Sequence, residues 1–364
     1  MKRIKLKKYI ALALVIAFMF SFAGCGRKGG DAGKKIITDC AEREVALPEK
    51  IERICCVDPF TGPMLVMFGY GDAITTGSNN MTRSVLLKII CPHIEDVVSV
   101  KSSGSLNAEE ILKRGADVIF VERDMYNDPS ERSKLETMNV PYVVISYRNI
   151  EEQLDAVRVI GKVLGTEDEA EKYVSWYEGV MRDVSSVCSS VPESERPKVY
   201  HSVNEALRTD YEGSICAEWI ALTGATNVSL DKDAGLKISG DKAYTTLEQV
   251  YVWDPDLIIC NEAGAFDDIT DDDKWSGLRA VKEGRVYQIP IGTSRMGHPT
   301  STETPLALLW LAEILYPERL DIDFRKEIYD YFKGYYDYEL SEDLIDAIIE
   351  AGSMRIEKPK NGME

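Results

Sequence analysis

Histidine is scarce in this chain. There are three in 364 residues, no two of them close in sequence, and a lone histidine rarely makes a metal site. The eight cysteines include no pair at Cys-x-x-Cys spacing, so their scatter is not that of a disulfide framework. The nucleophile elbow Gly-x-Ser-x-Gly, the phosphate loop Gly-x-x-x-x-Gly-Lys and the His-Glu-x-x-His zinc motif are all missing. No enzyme is expected. Positive charge is also short: 43 Lys and Arg against 61 Asp and Glu give a formal net charge of −18. So acidic a body argues against nucleic acid as a partner and against lying flat on an anionic membrane.

The one long apolar run comes first. Five positive charges in residues 1–8 precede an apolar stretch over residues 9–22. It is too short to span a bilayer comfortably and has no basic stop-transfer flank. Residues 1–24 therefore read as a signal peptide. Phe22-Ala23-Gly24-Cys25 reads as a lipobox, with Cys25 as the lipidated residue; the usual Leu is replaced by Phe22. Removing residues 1–24 takes away five positive charges and no negative ones, moving the net charge from −18 to −23. Residues 25–35, rich in glycine and charge, have nothing to bury and read as a flexible tether. An exported protein is expected, lipid-anchored to the outer face of the cytoplasmic membrane, with the membrane met through the lipid only. Seven cysteines remain, an odd number, so at least one is expected to be free and most to be buried small hydrophobes.

The roughly 325 residues from Ile36 exceed what one core normally serves, so two lobes are expected. In the first, residues 36–148, short apolar runs at 51–57, 118–121 and 140–145 alternate with helical patterns. Asn107 is a natural N-cap, with acids in the first turn and Gly115 at the close. Residues 149–190 have few breakers and apolar residues at helical spacing, which predicts one long linking helix that Gly161 and Gly165 divide or bend. Residues 191–340 repeat the strand–helix alternation, with Asp254-Pro255-Asp256-Leu257-Ile258-Ile259 paralleling Ala116-Asp117-Val118-Ile119. A C-terminal helix and tail fill 341–364. The fold class is α/β, two Rossmann-like lobes with mainly parallel sheets joined by a single long helix.

Several segments in this order resemble the metal-chelate branch of ABC-importer binding proteins. They are the opening at residues 37–54, Asn107-Ala108-Glu109-Glu110-Ile111-Leu112, residues 219–228, residues 254–259, and Thr302-Glu303-Thr304-Pro305 with the apolar run to Pro317. The resemblance covers nearly the whole folded body. It implies a ligand cleft between the lobes, no intrinsic cofactor, and a transported ferric siderophore, haem or corrinoid. It further implies an ABC permease and its ATPase as partners, a monomeric binding protein, and acids at the lobe tips that meet the permease: Glu109 in the first lobe, Glu248 or Glu303 in the second.

Ligands of such folds bind at the carboxyl ends of parallel strands. Four loops qualify. The first carries Asp58, Pro59 and Phe60, whose ring offers a stacking surface. A second carries Tyr126. The third, rich in polar and aromatic groups, carries Asn204, Glu205, Arg208 and Tyr211. The fourth runs from Gly292 to Pro299. There Arg295 offers a planar fork to a carboxylate or oxyanion, and His298 a hydrogen bond or an axial metal ligand. An oxyanion such as molybdate or tungstate is the alternative cargo, although no strong basic cluster marks the sequence. A surface scaffold lipoprotein is the alternative class. The acidic run 267–274 lacks calcium-loop spacing and reads as a solvated loop.

Overall fold

A computed structural model describes residues 35–102, 104–188, 190–240, 242–351 and 354–355. The expected signal peptide, Cys25 and the tether up to residue 34 lie outside these residues, as does most of the tail after 351.

Five strands of the first half, β1 (Ile54–Cys56), β2 (Ile74–Gly77), β3 (Val98–Ser99), β4 (Val118–Glu122) and β5 (Tyr142–Ile145), pair in parallel in the order β3-β2-β1-β4-β5. The unbroken apolar runs of β1 and β4 follow from burial on both faces. In the second half β6 (Lys198–Ser202), β7 (Thr226–Asn227), β8 (Leu257–Cys260) and β9 (Val286–Gln288) form a parallel sheet in the order β7-β6-β8-β9. The α/β class with mainly parallel sheets is borne out. In each sheet the order reverses beside the first strand, between β1 and β4 and between β6 and β8. Chains leaving the carboxyl ends there diverge and leave a crevice.

Helices α1 (Thr61–Met67) and α2 (Ala108–Arg114) belong to the first half. The Asn107 side chain accepts the Glu110 N–H, and Gly115, at φ 66°, ends α2 as its lack of a Cβ allows. The segment expected to link two lobes is two helices, α3 (Ile150–Leu164) and α4 (Glu167–Cys188), so the single-helix expectation is corrected to its divided form. Gly165 at φ 76° stops α3, and the chain turns back on itself. Arg158 of α3 pairs with Glu171 at 2.8 Å and Glu178 at 3.5 Å on α4. The two helices touch closely at Gly161, where an added Cβ would sit 2.6 Å from that of Ala170. The 22 residues of α4 span about 33 Å.

The second half adds α5 (Ile215–Leu222), α6 (Leu247–Trp253), α7 (Ala263–Asp271), α8 (Thr304–Leu315), α9 (Phe324–Tyr336) and α10 (Glu342–Ile349). The acidic stretch expected to be a loop is helical through Asp271, carried by the buried Ala265 and Ile269 on one face. Among the described residues the seven cysteines are free, and all but the partly exposed Cys40 are buried. No helix among them is long and apolar enough to cross a membrane.

Candidate functional site

The loop after β9 folds back sharply and displays two side chains. Gly297 makes this possible: its φ is 71°, and a Cβ there would lie 2.7 Å from the Trp219 indole. Its carbonyl instead accepts the Trp219 Nε1–H at 3.0 Å. From the turn's two sides project Arg295 and His298, with the His298 N–H donated to the Arg295 carbonyl at 3.2 Å. Gln153 of α3 donates to the Pro299 carbonyl at 2.9 Å, and Tyr173 of α4 to that of Thr302 at 2.7 Å. Helices α3 and α4 thus brace this loop.

Glu303 braces it from within. Its carboxylate is fully buried and accepts the Thr293 N–H at 2.8 Å and the Thr293 hydroxyl at 2.6 Å. Burial pushes its acid constant up to about 7, against the lowering effect of those donors. The docking role expected for Glu303 is therefore corrected: a carboxylate with no exposure cannot meet a partner. Glu109 and Glu248 are exposed, and each sits second in its helix behind an N-cap, Asn107 and Thr246.

Arg295 is 7 % exposed. Its Nη1 donates to Asn204 Oδ1 and to Glu262 Oε1, both at 2.5 Å, and burial holds its acid constant down to about 10. Asn204 follows β6 in a left-handed conformation, φ 69°, with its N–H bonded to Asn261 Oδ1 at 2.6 Å. Asn261 and Glu262 follow β8, so this cluster occupies the crevice where the second sheet reverses. Arg355 comes in from the C-terminal segment. Its guanidinium reaches Glu262 Oε1 at 3.3 Å and Asn80 Oδ1 at 3.4 Å, and Met354 is tied to the first half through the Val85 N–H at 3.0 Å.

His298 is held well below its ordinary acid constant by burial and then by Arg295, Arg355 and Arg208. It is neutral. Its Nδ1 accepts the Thr300 N–H at 3.2 Å and lies 2.9 Å from the Thr300 hydroxyl. That network assigns the proton to Nε2, so the imidazole presents a donor, the wrong form for a metal ligand.

Two cavities meet at these side chains. An inner chamber of about 30 Å³ is lined by Pro59, Ser84, Thr293, Ser294, Arg295 and His298. An outer cleft of about 520 Å³ shares Arg295, His298 and Arg355 and adds Arg83, Asn204 and Glu262. A larger groove of about 690 Å³, between α3, α4 and α5, contains none of the expected ligand residues.

Of the residues expected at the ligand, Pro59, Asn204, Arg295 and His298 come together, and Arg208 acts on His298 through its charge. Others are placed elsewhere. Phe60 is fully buried against Tyr147, ring centroids 5.1 Å apart, so its expected stacking role is corrected to core packing. The buried Asp58 carboxylate accepts the Thr61 N–H at 2.9 Å and hydroxyl at 2.7 Å, closing its own turn. Tyr126 lies against Arg43 and Tyr142. Glu205 is exposed and takes the Tyr244 hydroxyl at 3.4 Å, and Tyr211 is 40 % exposed; neither lines the two cavities. Asn80, Arg83, Glu262 and Arg355 were missed. The position of Glu262, two residues past the end of a parallel strand, was the available signal; Arg355 carries none. The expected lack of a basic cluster is also corrected, because Arg83, Arg208, Arg295 and Arg355 converge in space.

Among the described residues one buried trio offers metal-type donors, His201, Asp210 and Cys216, within 4.8 Å of one another. Asp210 accepts from His201 Nδ1 at 3.0 Å and from Asn227 Nδ2 at 2.7 Å, and Cys216 Sγ donates to the Gly297 carbonyl at 3.3 Å, whereas His201 Nε2 is buried with no partner among the described residues.

Residues 56–291 match the periplasmic binding protein family. The chain belongs to that family. This periplasmic binding protein is 25 % identical over 356 residues to the molybdate-binding protein MolA of Haemophilus influenzae, covering 91 % of this chain and 97 % of that one. The solved structure of MolA bound to molybdate superposes with a TM-score of 0.74 at 22 % identity, over 84 % and 99 % of the two chains, a likeness of fold. A periplasmic solute binding protein of Veillonella parvula gives a TM-score of 0.76 at 27 % identity over 88 % and 98 %. The Fe(3+)-citrate-binding protein YfmC of Bacillus subtilis is 24 % identical over 218 residues, 56 % of this chain and 63 % of that protein. The relatives YvrC and YhfQ of Bacillus subtilis, 20 % and 22 % identical over 84 % and 78 % of this chain, carry the names of ABC transporter substrate-binding lipoproteins. Members of the family carry transported ligands; they are neither enzymes nor holders of intrinsic cofactors.

Proposed function

We propose that the cargo is a compact metal-bearing anion, captured by its oxygens. The observation that carries this is the convergence of Arg295, Arg355 and the Nε2–H of a neutral His298 on the inner chamber. Guanidinium forks and a neutral imidazole N–H are all donors, and a water-poor chamber strengthens each of their bonds to an anion. Two sources have this chemistry. A tetrahedral oxyanion of the molybdate class suits the chamber's small volume and the likeness to MolA. A ferric carboxylate chelate suits the open outer cleft and the likeness to YfmC. Haem and corrinoids fit less well, since among the described residues neither cavity is lined by Phe, Tyr or Trp to cover a flat macrocycle.

In this reading residues 36–148 and 191–340 are the two jaws, and α3 with α4 keeps their movement small. Cys25 carries the lipid. Glu109 and Glu248 meet the permease, on the strength of their equivalent exposed positions. Calorimetric titration of the purified protein with molybdate, tungstate, ferric citrate, citrate alone and sulfate tests the cargo. Saturable uptake of the first two separates the oxyanion from the chelate, uptake of ferric citrate but not citrate does the reverse, and a folded protein that takes none of them sinks the anion reading.

A further inference from the structure

Glu262 stands where the cargo's negative charge belongs. One of its oxygens, Oε1, receives Nη1 of Arg295 at 2.5 Å and Nη1 of Arg355 at 3.3 Å. Arg295 is nearly sealed from solvent, and Asn204, its other side-chain partner at Nη1, is neutral. A guanidinium so placed needs an anion. We propose that Glu262 is a built-in counter-ion that occupies the arginines of the cleft, is displaced by the cargo on capture, and returns to expel it on release. The proposal rests on the anionic reading of the cargo.

The two partners differ in how firmly they are held. Arg295 projects from the loop that Glu303, Trp219 and Gln153 brace from three sides. Glu262, by contrast, precedes α7 and makes no capping bond to it, and its side chain is 38 % exposed at the mouth of the outer cleft. The carboxylate is therefore the member free to swing, and the guanidinium the member that waits. An arriving oxygen anion offers Arg295 and Arg355 the same interaction that Glu262 supplies, with bonds from His298 Nε2 in addition. Its net gain is a difference between two anions, so the carboxylate lowers affinity and speeds release without touching the fixed donors. The single negative charge of Glu262 leaves the two guanidinium groups one positive charge in excess, which makes a dianion the better displacer than a monoanion.

The test is titration of Glu262→Gln beside the wild type with molybdate, ferric citrate and sulfate. The variant should bind whichever anion the wild type binds about tenfold more tightly, the loss of one competing charge contact at the cleft mouth. Ligand-free, it should melt lower than the wild type, because Arg295 has lost its counter-ion. A variant that binds its anion equally well or more weakly overturns the placeholder and leaves the cargo reading standing. If neither protein takes up any of the three anions, the cargo reading falls, and the placeholder with it. Should Glu262→Gln not fold, Glu262→Asp serves: its carboxylate, one methylene shorter, no longer spans to Arg295, and tightened binding is again expected, while unchanged or weaker binding again overturns the placeholder.

Discussion

The two parallel sheets end in loops of the same topological kind and opposite chemistry. After β1, Asp58 turns its carboxylate back onto Thr61 and Phe60 plugs the core, so the loop satisfies itself. After β6, β8 and β9, polar groups look outward to one another: Asn204 and Glu262 to Arg295, and His298 to the chamber. At the inner chamber the first half supplies shape, through Pro59 and Ser84, while the second half and the C-terminal segment supply charge, through Arg295 and Arg355. A crevice at a strand-order reversal is thus only an opportunity; what fills it depends on whether the loop's polar atoms are spent locally.

Four substitutions sharpen or break this contrast. The largest effect belongs to the self-satisfied side. Phe60→Ala should cost about 3–5 kcal/mol of stability by denaturant unfolding while the surviving folded protein binds its anion normally; weakened binding at full folding would restore the stacking role that burial denies it. Next is Glu303. Its folded acid constant, about 7, stands above the ordinary 4.5, so the folded protein holds a proton that the unfolded chain releases between those values. Stability from this group is present below about 4.5 and falls as pH rises to about 7, by about 3 kcal/mol in all. Glu303→Gln should flatten that stretch of the melting-temperature profile, and an unaltered slope would place the titration elsewhere. Third, Arg295→Ala should weaken anion binding about 100-fold in calorimetry, since truncating a desolvated charged partner costs several kcal/mol. The same change leaves the Asp58 turn untouched. Smallest is Arg355→Ala, with an expected loss of about tenfold, because this more exposed guanidinium reaches Glu262 at 3.3 Å and not 2.5 Å. A loss as large as that of Arg295 would mean the C-terminal segment carries the site equally.

Much of the architecture was legible because it is local. Apolar runs between breakers read as buried strands, Asn107 and Gly115 announced the two ends of a helix, and Gly165 marked where the linking helix breaks. The Gly292–Pro299 loop could be singled out because a strand leads into it and it carries Arg295 and His298 together. Glu303 was misjudged for a physical reason: an acid at a helix start is usually solvated and favoured by the helix dipole, and nothing local reveals that the loop carrying Thr293 will close over it.

By itself the sequence determined the alternation of strands and helices, the acidic body and the absence of catalytic motifs, since each depends on neighbours a few residues apart. Only the tertiary structure decided that arginines gather at and beside one cleft of an acidic protein. Arg83, Arg208, Arg295 and Arg355 are separated by stretches of chain that no periodicity links. Their convergence is made by sheet order and a returning C-terminal segment. So too for His298: its proton sits on Nε2 because Thr300 occupies Nδ1, while burial first and then three guanidinium groups hold the ring neutral. A side chain's type is written in the chain, but its charge and tautomer belong to the field around it.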